Sequence, residues 1–183
     1  MVSFGDDLPK TVIFALKLSL MKKLLILFLA FTLNSCDDGD FDVPVFEFTE
    51  KVNVCGTYIL YIASANSTEV LVLTLPPTTF GTEPTVMLPI SNSATATYRI
   101  FDKGITPAYF CQVIPPLEPK VLKELKADDK GEGAINIAAK EILTDSVVSG
   151  YSYKITLSNI NFKNDEERIF KENFNFGTLE IKN

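Results

Sequence analysis

The sequence predicts an all-β domain: a single antiparallel β-sandwich of about nine short strands over residues 46–183. Three observations carry that expectation. Apolar residues recur with a period of two, turn-forming residues punctuate the chain at regular intervals, and beyond residue 46 no stretch sustains the 3.6-residue period of a long helix.

The first segment sets the period. Phe46, Phe48, Val52 and Val54 fall on one side, and Glu47, Thr49, Lys51 and Asn53 on the other, as in a half-buried strand. Residues 57–63 (TYILYIA) and 69–75 (EVLVLTL) are apolar on both faces and are expected at the centre of the sheet, joined by a hairpin at 64–68. Pro76, Pro77, Gly81 and Pro84 interrupt the chain before strands at 85–88 and 96–101. Pro107, Pro115, Pro116 and Pro119 mark 104–119 as an ordered loop, which carries Cys111.

Residues 120–127 (KVLKELKA) suit a helix face through Val121, Leu122 and Leu125. The run is too short for an isolated helix to hold itself, and it reads as a strand returning at 134–139. In the strongest strand signal, Tyr151, Tyr153, Ile155 and Leu157 share a face, while Ile160 and Phe162 have the opposite parity. One extra residue near Ser158 and Asn159, a β-bulge, reconciles the two. After a charged turn at 164–167, Phe170, Phe174, Phe176, Leu179 and Ile181 supply the closing strands, with a kink at Gly177.

The front of the chain is an address. Met21-Lys22-Lys23, the apolar run 24–31 and then Thr32-Leu33-Asn34-Ser35-Cys36 have the layout of a secretory signal. Read so, residues 1–20 are an upstream extension, 21–35 the signal peptide and 36–45 an acidic tether. A transmembrane helix over 12–33 is disfavoured because Lys17, Lys22 and Lys23 fall within it, at about 2.5–3.5 kcal/mol each near the bilayer centre.

Leu33-Asn34-Ser35-Cys36 resembles the lipobox of bacterial lipoproteins, with Leu33 and Ser35 matching and Asn34 less usual. The resemblance implies that Cys36 is the lipidation site and first mature residue, bearing fatty acyl chains such as palmitate that hold the domain to a membrane. Asp37, Asp38 and Asp40 resemble the surface-export signal of Bacteroidota-type lipoproteins. A calcium loop over Asp38, Asp40 and Asp42 lacks the glycine and glutamate it needs, because Val43 and Thr49 stand at those positions. A solvated tether is compatible with export.

The whole stretch from Met21 resembles lipoproteins of that type. The elements that carry the likeness are Cys55-Gly56 after a Phe-rich start, Tyr109-Phe110-Cys111 leading into Ile114-Pro115-Pro116, and Phe176-Gly177 in the last strand. It implies an envelope location and a β domain, and brings no substrate or catalytic residue; the expected location is the outer membrane, facing the cell surface.

Composition narrows the function classes. The chain has 17 Lys+Arg against 23 Asp+Glu, and from Cys36 onward 13 against 21, a formal charge of −8. Such a domain repels nucleic acid and anionic headgroups, so no nucleic-acid partner is expected. The chain lacks histidine, which removes Ser-His-Asp and Cys-His catalysis and His-ligated zinc, and lacks tryptophan, the best stacking platform for sugars. Of three cysteines, Cys55 and Cys111 remain after lipidation of Cys36. An exported domain favours a disulfide between them; the alternative is two separate buried thiols.

Carboxylate chemistry has candidates only in Asp128, Asp129, Asp165, Glu166 and Glu167, all in predicted turns where a solvated charge is the ordinary reading. No cofactor or metal is expected. The resulting expectation is a lipid-anchored, non-catalytic binding or structural component of the envelope, with an envelope protein or glycan as partner. The glycan-binding alternative draws on Tyr58, Tyr61, Tyr98, Tyr109, Tyr151 and Tyr153, and gains if several share an exposed face.

Overall fold

The computed structural model describes residues 47–56, 58–112, 114 and 116–182. Among the described residues there are nine strands: β1 (Asn53–Cys55), β2 (Ile59–Ala63), β3 (Glu69–Thr74), β4 (Thr85–Pro89), β5 (Thr95–Phe101), β6 (Val121–Ala127), β7 (Ala134–Thr144), β8 (Val147–Lys163) and β9 (Arg168–Lys182). All pair antiparallel, so the all-β class and the strand number stand as expected. They form one hydrogen-bonded sheet in the order β1-β2-β3-β5-β6-β8-β7-β4, with β9 on β8.

The strand lengths depart from expectation. β7, β8 and β9 have 11, 17 and 15 residues, where short strands are predicted, and one continuous β9 replaces several closing strands. The β7–β8 hairpin turns on Asp145 and Ser146, both at positive φ, which the tight two-residue turn requires. It projects Lys140–Thr144 into solvent, where no burial constrains the pattern of side chains. Strand β8 serves two neighbours on one edge, β7 along Val147–Ser158 and β6 at Phe162 and Lys163, and holds β9 on the other.

The phase change in β8 occurs where the sequence places it. Tyr153, Ile155 and Leu157 are buried, then Ile160 and Phe162, with Asn159 between them at φ 51°. The β8–β9 register shift itself lies at Ile155/Thr156, opposite Phe176, rather than at Ser158–Asn159.

The first strand is also shorter than expected. Only Asn53–Cys55 pair as β1, and Val54 is 41% exposed rather than turned inward with Phe48 and Val52. Upstream, the Thr49 amide donates to Ala63 O (2.9 Å) and Lys51 makes one parallel bridge to Thr178 of β9. The sheet is not closed into a barrel by this single link.

Inward side chains of β2, β3 and β5 to β9 form the main core, with Leu60, Leu71, Leu73, Tyr98, Leu125, Ile135, Ile155 and Phe162 essentially inaccessible. Residues 120–127 adopt the strand rather than the helix because Leu125 reaches this core while the backbone pairs with β5.

Strands β2 and β3 are buried on both faces, as their double-sided apolar pattern predicts. Tyr61, Ala63, Val70, Val72 and Phe101 form a second cluster on the outer face with Cys55, Ile105 and Tyr109. The proline-rich loop covers it, and a single 3-10 turn, Tyr109–Cys111, places its aromatic rings.

Candidate functional site

The sheet carries two surface features that could meet a partner. The first is the disulfide-pinned cap. Cys55 and Cys111 are bonded across 56 residues of sequence with Cα atoms 4.8 Å apart. This staples the proline-rich loop to β1, an edge of the sheet. Closing a loop of that length contributes about 4 kcal/mol on the chain-entropy argument. Beneath the staple, the rings of Phe101 and Tyr109 meet edge to face at 5.1 Å, and Tyr61 stacks at a tilt on Phe110 at 5.0 Å. The Tyr61 hydroxyl donates to Pro107 O at 2.7 Å, and burial pushes its pKa up. The Arg99 guanidinium lies 5.9 Å from the Phe110 ring centroid while its Nε donates to Glu124 at 2.6 Å.

Past the staple, the loop to β6 and the start of that strand carry exposed aliphatic side chains. Ile114 is 79% exposed, Leu117 92%, Leu122 67% and Val121 42%. Val121 and Leu122 open β6 at the end of the sheet marked by the β2–β3 hairpin, and with Leu117, next to the Glu118 that pairs with Lys103 and Lys120, they make an apolar rim there. The register fixes this: Phe101 pairs with Val121, the Phe101 amide donates to Thr68 O (2.8 Å), the Ile105 amide to Ser67 O (2.9 Å) and the Asp102 amide to Lys120 O (3.0 Å).

The second feature is a groove of about 600 Å³ where the start of β5 and the end of β6 meet the β4–β5 and β6–β7 connections. Its lining includes Ser91, Asn92, Lys126, Asp128, Asp129 and Lys163. Lys163 Nζ lies 2.7 Å from Asp128 Oδ2, and the Asp128 Oδ1 accepts from the Lys130 amide at 3.1 Å. These hydrogen bonds, that of Lys163 first, hold the Asp128 carboxyl below the usual carboxylate range. Burial pushes Glu124 up, but the Arg99 and Lys126 charges beside it outweigh that and leave it lowered as well. A general acid needs the opposite direction. The proposed carboxylates are not gathered into one pair: Asp128 and Asp129 line the groove, whereas Asp165, Glu166 and Glu167 belong to the β8–β9 turn, with Glu167 held by Lys123 at 2.6 Å.

The tyrosines divide. Tyr61, Tyr98, Tyr109 and Tyr153 are buried, Tyr151 is half-buried beside Tyr153, and Tyr58 is 43% exposed. Tyr98 donates to Glu69 Oε2 at 2.6 Å, and burial and that carboxylate push its pKa up. These residues therefore offer no shared exposed stacking face. Cys36, expected from the sequence to carry the lipid, and Asp37, Asp38 and Asp40, expected to form the export signal, lie outside the described residues. Among the described residues no group of three or more Cys, Asp or Glu is placed to hold a metal ion, and no helix is long and apolar enough to cross a membrane.

The sequence pattern located the cysteine pair. It did not reveal the rim, because exposed aliphatic residues among prolines look the same as buried ones. It also missed the Lys163–Asp128 pair, whose members are 35 residues apart and meet only through the β6–β8 pairing. Comparison with family models, with curated proteins and with solved structures finds no match to this chain.

Proposed function

We propose that this chain is a lipid-anchored component of the outer membrane of a Bacteroidota-type cell, held by acyl chains on Cys36, with a non-catalytic β domain that serves a binding or structural role. The observation that carries the reading is the allocation of the cysteines. Two of three are joined in a disulfide, the form favoured in oxidising compartments, and the third stands at the lipobox position Leu33-Asn34-Ser35-Cys36. The short apolar run 24–31 supplies the export signal and the acidic run after Cys36 the sorting signal.

Within the domain, the buried tyrosines and the ion-paired Asp128 and Glu167 favour a structural or protein-binding role over glycan stacking or hydrolysis. The experiment is metabolic labelling of the full chain with a fatty-acid probe, beside the Cys36→Ser variant. Label on the parent and none on the variant is expected. Equal labelling and equal partition into detergent would overturn the anchor.

A further inference from the structure

We infer that the apolar rim of Leu117, Val121 and Leu122 rests on the lipid surface to which the chain is anchored, so that the domain is docked in one orientation rather than swinging on its tether. The inference rests on the lipid anchor proposed above and adds to it a second contact and a direction.

The geometry favours a lipid surface as the occupant. The described chain enters at Glu47, two residues before the Thr49 amide bonds Ala63 O, at the hairpin end of β2. The start of β6 and the loop before it lie at that same end, through the pairing of Phe101 with Val121 and the bond from Asp102 to Lys120. Cys36 precedes Glu47 by 11 residues, a reach of at most about 40 Å when fully extended. The anchor therefore tethers the domain by this end, where the short tether raises the effective concentration of even a weak contact.

The chemistry of the rim suits an interface. Leu117 is 92% exposed and Leu122 67%, aliphatic side chains that water solvates poorly and acyl chains accept. Lys103 and Lys120 flank them, 71% and 70% exposed and sharing Glu118 at 3.5 and 3.9 Å, with long stems that can lie along an apolar boundary while their heads stay in water. The contact is apolar rather than electrostatic, because the chain from Cys36 carries a formal charge of −8 and anionic headgroups repel it. The far end of the long hairpin also exposes aliphatic side chains, Leu143 and Val147, but Val147 is 16 residues along β8 from Lys163, about 50 Å of strand from the β6 side. It serves as the internal control.

The absence of tryptophan gives a direct readout. Full-length lipidated protein carrying Leu117→Trp is reconstituted into phosphatidylcholine vesicles, with and without brominated acyl chains, beside the same protein carrying Val147→Trp. Both sites are exposed, so neither change burdens the core. The expected result is blue-shifted emission from Leu117→Trp that brominated lipid quenches, unshifted and unquenched emission from Val147→Trp, and loss of the Leu117→Trp quenching when Leu122→Glu is added. Flotation of the vesicles separates the two ideas. Protein that fails to float overturns the anchor and the docking together. Protein that floats with no quenching at Leu117→Trp leaves the anchor standing and overturns the docking, as does equal quenching at both sites.

Discussion

Gly177 of β9 sits against Val52. A Cβ added to the glycine would stand 2.6 Å from Val52 Cγ2, and the glycine holds φ at 138°, where L side chains are strained. This contact lets the first segment of the domain approach the last strand beside the Lys51–Thr178 bridge. Gly177→Ala should therefore cost about 1–3 kcal/mol from backbone strain alone, before any shift of Val52, read as a lower urea midpoint at an unchanged slope. A variant as stable as the parent would show that the contact relaxes freely.

Removal of the staple has a comparable size and a different signature. The Cys55→Ala/Cys111→Ala double variant should lose up to about 4 kcal/mol, because the unfolded chain regains the freedom of a loop closed over 56 residues of sequence. Alkylation of the unfolded, unreduced parent followed by mass spectrometry should label neither cysteine, and reductant should add two labels. Full labelling without reductant would contradict the bond.

The ion pair between Asp128 and Lys163 makes a pH prediction with a definite sign. The Asp128 carboxyl is lowered from its ordinary 3.8, so its charged form is favoured in the folded state. Its contribution to stability is present above pH 3.8 and is lost as pH falls through the lowered folded value. The stability gap between the parent and Asp128→Asn, measured by urea unfolding across pH, should be constant at neutral pH and close below about pH 4. A gap that persists undiminished in acid would assign the effect to packing instead.

Surface display has its own test. Replacing Asp37, Asp38 and Asp40 with Ala should leave the protein membrane-bound but hide it from protease added to whole cells. Equal digestion of both forms would reduce the acidic run to a tether.

Core truncation tests the main cluster. Leu73→Ala removes a fully buried side chain from β3 and should cost about 2–5 kcal/mol. Leu143→Ala, on the exposed arm of β7, should change thermal stability little.

Strands whose side chains face burial were legible in the sequence. Residues 59–63 and 69–74 are apolar at every position that meets either the main core or the cap, and the double-sided pattern reports that directly. The parity change between Leu157 and Ile160 was visible for the same reason. The projecting parts of β7, β8 and β9 were not. Lys140, Glu141 and Thr144 are exposed, so their identities carry no record of the ladder in which their backbone takes part. Val54 misled because an apolar residue on the expected parity faces solvent next to the buried Cys55.

The sequence by itself determined the all-β class, the two-sided burial of the segments that become β2 and β3, and the favoured pairing of Cys55 with Cys111, whereas β2 lies next to the edge strand β1 rather than at the centre of the sheet. Those properties depend on local periodicity and on elimination within a short inventory of residue types. Tertiary structure alone decided the rest. It joined Lys163 to Asp128, set Gly177 against Val52, divided the tyrosines between core and surface, and turned Leu117 and Leu122 outward at the end where the chain enters. Each of these depends on strand register, and register is a property of pairs of segments distant in the chain, which no single window of sequence contains.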